Sequence, residues 1–502
     1  MRTKYSIKNS ITAAISYVVT MLVGFITQTI FIKLLGTEYL GLNGVLTNIM
    51  AIITLIELGI GDAIVYKLYN PIANDNLEEV KRIMVYYKKI YFKIILMIII
   101  LGLMGLPFLN FFIDPMQINV NVYSIYILFL ISSILNYVLH YNKSLIFANQ
   151  RSYINNIIHI FYLIILNIFQ FFILIKTKNY YLYIIIKIFM QILEIIITKL
   201  YSNKLFPLKE VKTKEKSIKI LENIKPLFFH KINIVVANYS DNIIISYFLG
   251  VNIVGLYSNY FLIVISVYTL IGEIIKSVNA SVGNYLALKK SSDNYEIFRK
   301  IQFLNFYLVM FSSICIYNLI EDFIVIWLGS DYLLSRSILL FLIISQFFKT
   351  FRMCYSIFYE VSGIWQKDLK TPIIGTIINL LFSIILTKKF GLIGILLGGI
   401  ISTFIFWLYT YPIKVYKEIF NKNYKIYLKE LFNYIALFII FFSINYVINS
   451  LFEFKNIYID LIFNFMLSIL ITNILFFLIY RKDYRLIYFK NLIKNIWRKK
   501  CK

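Results

Sequence analysis

Residues 225–250 read KPLFFHKINIVVANYSDNIIISYFLG. The run is long and apolar enough to cross a bilayer as a helix, which takes about 20 residues. Yet it carries His230, Lys231, Asn238, Asp241 and Asn242. At about 100° per residue these side chains share about a third of the helix circumference, whereas Asn233 and Ser240 lie elsewhere. A charge at the bilayer centre costs about 2.5–3.5 kcal/mol on insertion scales, so such a stripe belongs against a wet interior and not against lipid. A plainer reading stands beside it: Lys231 snorkels from a helix end and Asp241 pairs with a neighbour. On either reading the remaining chain is scaffolding around a polar interior that this helix helps to line.

The composition agrees. The 502 residues are 60% hydrophobic and 18% aromatic, with a mean hydropathy of +0.76. That excludes a soluble globular domain and implies an all-α polytopic membrane protein. The excess of Ile, Asn, Lys and Tyr points to an AT-rich, bacterial genome. A net charge of +26 would suggest nucleic acid for a soluble chain. Here the cations lie between apolar spans, as in cytoplasmic loops beside anionic lipid, so membrane lipids and no nucleic acid are the expected partners. Cys315, Cys354 and Cys501 show no pair spacing, which implies neither a disulfide framework nor a zinc site. The opening MRTKYSIKNS is basic, but the apolar run after it is too long for a signal sequence and has no small-residue cleavage site. It reads as a first transmembrane helix.

Fourteen spans are expected, at about 11–34, 42–66, 91–113, 120–147, 153–175, 180–203, 224–249, 253–286, 301–328, 334–361, 370–388, 391–415, 431–450 and 457–480. The 253–286 and 301–328 segments exceed a bilayer's need, so their ends should project or tilt. Loop charge sets the orientation. Segment 199–225 holds eight Lys against three acids, the 414–429 link holds Lys414, Lys417, Lys422, Lys425 and Lys429, and the tail 481–502 holds nine Lys/Arg against one acid. The alternate links at 35–41, 114–119 and 250–252 hold no Lys or Arg. Both termini are therefore expected in the cytoplasm. Asn74–Lys93 and Ser291–Lys300 open with capping residues and are amphipathic, so each is expected to be a short surface helix.

An internal match suggests duplication. Leu35-Gly36-Thr-Glu-Tyr-Leu-Gly41-Leu42 aligns without gaps to Leu249-Gly250-Val-Asn-Ile-Val-Gly255-Leu256, at an offset of 214. Ala148 meets Ser362 at the same offset, and 167–174 resembles 379–386 at an offset of 212. Six spans per copy means that both copies enter the bilayer from one side, related by an axis along the membrane normal. The expected organisation is two pseudo-symmetric six-helix lobes, 1–205 and 224–415, joined by a basic linker 206–223. Two extra spans, 416–480, and a basic tail, 481–502, follow.

Other polar groups lie within the spans: Glu57 with Asp62, His140 with Lys143, Lys187 with Glu194, Glu273 with Lys276, Lys349 with Arg352, and Gln28. Taken singly, each is most simply an ion pair or a snorkelling end. Taken together, the cations outnumber the acids, and a cavity with surplus positive charge suits a phosphate or pyrophosphate. Lys231, Asn238, Asp241, Asn242, His230, Lys276 and Arg352 are the candidate substrate contacts. Asp241, Glu57 and Glu273 are the acids suited to ion coupling. Enzymatic signals are poor. There is no GxxxxGK[ST] loop, no dinucleotide fingerprint and no HExxH, and the three histidines lack acid partners at metal-ligand spacing. No catalytic residue, cofactor or metal is expected.

The opening, which runs through LLGTEYLGLNG into ELGIGDAIV, resembles the bacterial polysaccharide flippases (Wzx type). So do KPLFFHKI, SDNIIISYFLG and VGLYSNY of the seventh and eighth spans. The resemblance covers nearly the whole chain in span order. It implies twelve core helices around a V-shaped cavity lined by spans 1, 2, 7 and 8, with spans 13 and 14 peripheral. It also implies an undecaprenyl-pyrophosphate-linked oligosaccharide as substrate, turned across the bacterial plasma membrane for capsule or a related polymer, beside a polymerase and glycosyltransferases. Two alternatives stay open: a drug/cation antiporter of the same superfamily, and a membrane enzyme of polymer synthesis. The antiporter would be expected to stop at twelve spans and to carry acids at its centre.

Overall fold

The computed structural model describes residues 2–57, 60–114, 119–205, 224–279, 282–283, 286, 291–364, 368, 370–452 and 454–500. All regular structure among them is helical. The chain divides into two compact units, Met1–Ser258 and Asn259–Lys502.

The first unit holds α1 (Arg2–Leu35), α2 (Thr37–Ile53), α3 (Ile60–Ala73), α4 (Leu77–Gly105), α5 (Leu109–Phe112), α6 (Val122–Ala148), α7 (Ser152–Thr177), α8 (Tyr180–Leu205) and α9 (Ile224–Leu249). Helix α10 (Val251–Lys276) starts in it and ends in the second. The second unit continues with α11 (Ser291–Trp327), α12 (Arg336–Phe351), α13 (Met353–Val361), α14 (Lys370–Phe390), α15 (Leu392–Tyr409), α16 (Tyr411–Lys414), α17 (Tyr424–Asn449), α18 (Ile457–Tyr480) and α19 (Tyr484–Lys500). Among the described residues, eleven helices are long and apolar enough to cross a membrane. The three further expected spans fall on α2–α3, on α9 and on the 18-residue α15. Outward-facing side chains such as Phe92 (70% exposed) and Phe161 (62%) are tenable only against lipid, and the chain is a multi-pass membrane protein.

Three expectations about local structure are corrected. The second span is not one helix over 42–66. After Ile53 it passes through a 3-10 turn, Thr54–Glu57, before α3 begins at Ile60. Gly61, just after the break, lies close against it: a Cβ there would be 2.8 Å from Glu57 Oε1. The Tyr137 hydroxyl donates to Thr54 O at 3.2 Å, so a carbonyl released by the break keeps a partner. The two amphipathic segments are also not separate surface helices. Asn76 caps α4, its side chain accepting from Glu79 N, and the helix then runs on into the third span. Residues 77–101 contain neither Gly nor Pro, so nothing stops it. Residues 291–300 likewise form the first turns of the 37-residue α11.

Packing repeats between the units. In the first, α6 packs on α8, α7 on α8 and α4 on α6. In the second, the helices six spans later do the same: α12 on α15, α14 on α15 and α11 on α12. The LG…G motifs behave as equivalent copies. Gly36 and Gly250 both take positive φ, 93° and 89°, between consecutive helices. A Cβ on Gly41 would fall 1.9 Å from Val251 O, and one on Gly255 would fall 2.1 Å from Thr37 O. Positions 37 and 251, and 41 and 255, are related by the 214-residue offset. Each copy thus offers its glycine to the other's backbone, as a two-fold axis requires. The Thr37 hydroxyl donates to Asn252 Oδ1 at 2.6 Å across the same crossing.

In the second unit, Gly394 and Gly398 let α15 lie directly on α14, where added Cβ atoms would reach 2.1 Å from Leu386 O and 2.5 Å from Ser383 N. This small-xxx-small spacing is how membrane helices achieve close van der Waals contact. The link into α14 is clasped by buried Asp368. It accepts from the Tyr359 hydroxyl at 2.6 Å, from the Thr371 hydroxyl at 2.7 Å, and from Lys414. Burial would raise its carboxyl pKa, but the donors outweigh burial and hold it below the ordinary value. Its stabilisation is therefore complete above the unfolded pKa and is lost as pH falls through the folded one. Asp368→Asn is expected to reduce stability at pH 7 by about 1–3 kcal/mol and to flatten the loss towards acid. Melting temperatures of the purified protein from pH 7 to pH 3 check this, and an unchanged acid slope would refute it.

Candidate functional site

A cavity of about 620 Å³ lies within the first unit, walled by α2, α6, α7 and α8 with Tyr239 of α9. Its polar wall is built from three helices. Lys143 of α6 donates to Glu194 Oε1 of α8 at 2.8 Å, and His159 Nδ1 of α7 lies 3.3 Å from the same oxygen. The Glu194 side chain is 2% exposed, so its charge is held by this pair rather than by water. Next to it Ser132 donates to Gln191 Oε1 at 2.9 Å, and Gln191 Nε2 donates to Asn136 Oδ1 at 3.1 Å. Lys187, one helical turn below Gln191, also lines the cavity, its ammonium 5.5 Å from the centre of the Phe129 ring. Glu57 reaches the cavity from the broken second span and accepts from the Tyr91 hydroxyl.

The sequence-derived candidates are spread more widely. Asp241 and Asn242 of α9 are half-buried. Asp241 lies close enough to feel the buried Tyr257 hydroxyl, and Asn242 Nδ2 is 3.4 Å from where a Cβ on Gly44 would sit. Helix α9 thus packs on α2, with Asn242 beside Gly44. The side chains of His230, Lys231 and Asn238 lie outside the described residues, as does that of Asp62. Glu273 and Lys276 pair with each other at 3.0 Å in the last turns of α10, on an exposed face. Arg352, between α12 and α13, stacks on the Tyr411 ring at 5.8 Å. Among the candidates whose side chains are described, only Glu57 lines the first-unit cavity. The Lys143–Glu194–His159 cluster was visible in the sequence only as separate charges on the fourth, fifth and sixth spans. Nothing in their spacing showed that the three faces converge.

Among the described residues no three His, Cys, Asp or Glu side chains converge as a metal would require. The wall instead offers amines, amides and hydroxyls, which bind anions and sugar-like hydroxyls.

The fold is shared with solved membrane transporters. The chain is similar to the lipid II flippase MurJ in an inward closed conformation, with a TM-score of 0.63 at 17% identity over 95% of this chain and 99% of that one. It is similar to an inward-facing multidrug resistance MATE family transporter of the MOP superfamily, with a TM-score of 0.60 at 15% identity over 77% of this chain and 92% of that one. An outward-facing MATE transporter of the same superfamily gives 0.54 at 16% identity, covering 80% and 93%. No curated protein matches the chain. A family model described as "Polysaccharide biosynthesis protein" matches residues 6–279, more than half of the sequence. The chain therefore belongs to the polysaccharide biosynthesis protein family, in a fold it shares with the MOP-superfamily transporters.

Proposed function

We propose that the protein flips an undecaprenyl-pyrophosphate-linked oligosaccharide from the inner to the outer leaflet of a bacterial plasma membrane, for capsule or a related surface polymer. The family match over residues 6–279 carries this reading. The polar cavity supports it chemically. A sugar-pyrophosphate cannot cross hydrocarbon unaided, because its hydrogen bonds would go unmet. A wet wall of amines, amides and hydroxyls replaces those bonds while the polyprenyl tail stays in lipid. Access then alternates between the two membrane faces. Outward movement of the pyrophosphate runs down a potential negative inside, by about 2.3 kcal/mol per charge per 100 mV, so a coupled ion is not required. With both termini cytoplasmic, the basic loops and tail face anionic lipid and the synthesis enzymes.

Radiolabelled lipid-linked repeat units test the assignment in cells lacking the gene. Trapping in the inner leaflet supports a flippase. Export of unpolymerised units would indicate a polymerase instead, and unchanged polymer with increased drug sensitivity would indicate an antiporter. Lys231→Ala and Asp241→Ala are each expected to reduce export at least tenfold with normal expression. Normal export in both would remove the α9 stripe from the mechanism.

A further inference from the structure

The first unit carries a second feature that its polar cavity does not account for. Between α1 and α7 lies a groove of about 450 Å³, lined by Val23, Ile26, Ile30, Ile164, Ile168 and Phe172 among others. Ile26, Ile168 and Phe172 are 60%, 50% and 55% exposed, so this face is open to lipid. Polar groups lie directly behind its apolar lining. The Thr27 hydroxyl donates to Val23 O at 2.7 Å and to Asn167 Oδ1, and Gln170 Nε2 donates to Tyr183 O at 3.0 Å. Amides placed at hydrocarbon depth are expensive unless they serve something.

Behind the lining is a chamber of about 290 Å³. It shares Val23, Thr27, Asn167, Gln170 and Tyr183 with the groove. It shares Phe129, Ser132, Leu163, Leu166 and Lys187 with the polar cavity. Groove, chamber and cavity thus follow one another with side chains between them. Among the described residues Lys187 is the one charged side chain lining the chamber. Among the described residues its ammonium has no carboxylate partner, in contrast to Lys143, which Glu194 neutralises. An ammonium in a space otherwise walled by uncharged side chains draws an anion. An apolar groove in series with it draws a hydrocarbon chain.

We propose that this route holds a polyprenyl diphosphate, its phosphates against Lys187 and its first isoprene units in the α1–α7 groove, with the Thr27–Asn167 hydrogen bond as the gate between them. The inference rests on the flippase reading and adds where the lipid carrier sits. The fit is to one amphiphile, because the anion site and the apolar site are adjoining stations of one path.

Binding tests it apart from transport. The full-length protein in nanodiscs of phosphatidylcholine is titrated with a fluorescent polyprenyl diphosphate and, separately, with the matching polyprenol. Lys187→Met is expected to weaken the diphosphate at least tenfold and to leave the polyprenol unchanged, with Lys187→Arg restoring binding. Ile168→Trp, which fills the groove, is expected to weaken both ligands. Unchanged melting temperatures keep these readings free of misfolding; where Lys187→Met unfolds, the Lys187→Arg and Ile168→Trp titrations decide. Unaltered diphosphate affinity in the Lys187 and Ile168 variants overturns the proposal, as does equal competition by phosphatidylglycerol, which would make the groove an ordinary lipid site. Loss of binding without any oligosaccharide flipping by the wild-type protein would overturn the flippase reading and leave the carrier site standing.

Discussion

Glu194→Ala is expected to destabilise the protein by about 3 kcal/mol, because it takes away the carboxylate that neutralises the amine of Lys143, a side chain only 23% exposed. The Nζ–Oε1 distance of 2.8 Å and the 2% exposure of the Glu194 side chain place the pair where desolvation has already been incurred. Removing one partner leaves that penalty without its compensation. Removing both should not. The double variant Lys143→Met, Glu194→Leu is expected to recover most of the loss, since a buried pair replaced by apolar residues of similar size is often neutral or stabilising. Thermal unfolding in detergent of the unsubstituted protein, Lys143→Met, Glu194→Leu and the double variant measures the coupling. A double-variant loss equal to the sum of the two single losses would mean that the two side chains act independently, whatever their distance. Transport should fall in the double variant even where stability returns, if the cluster also meets substrate.

Gly41→Ala and Gly255→Ala are expected to lower stability by similar amounts, about 1–3 kcal/mol each. Alanine is the better helix former by about 1 kcal/mol, so any loss isolates the steric conflict. The obstructing atoms are the backbone carbonyls of Val251 and Thr37, which cannot rotate away as a side chain would. Both substitutions act at one crossing. Once the first has pushed the helices apart, the second meets less resistance, so the double variant is expected to lose less than the sum. Melting temperatures of the three variants check both statements. A stable Gly41→Ala beside an unstable Gly255→Ala would contradict the equivalence of the two copies.

How far the sequence could be read depended on whether a signal was local. Span positions follow from runs of apolar residues, which are local, and α6, α7, α8, α17 and α18 lie close to where they were expected. The 214-residue offset foretold that the two LG…G motifs are equivalent, but not that they meet: pairing is a matter of tertiary contact. Helix ends were overread at Asn74 and Ser291, where capping residues do begin a helix but nothing afterwards ends it. The Glu57 region was underread, because an acid just ahead of two glycines was treated as a polar spot in a helix, whereas the α-helix has already given way to a 3-10 turn there. The cavity cluster needed the rotation of three helices about their own axes. Hydrophobic periodicity hardly fixes that when a helix is apolar nearly all round, as α8 is outside Lys187, Gln191 and Glu194.

The uninterrupted α4 has a mechanical meaning. Its 29 residues make a rod about 44 Å long. The leading turns carry Glu78, Glu79, Lys81 and Arg82, cations continue as far as Lys93, and the middle includes Tyr91, the hydroxyl that grips Glu57. A stiff lever with one end in the aqueous phase and its middle on an acid at the interruption of the second span gives outside forces a handle on the interior. Whatever binds the charged end would also press on that carboxylate.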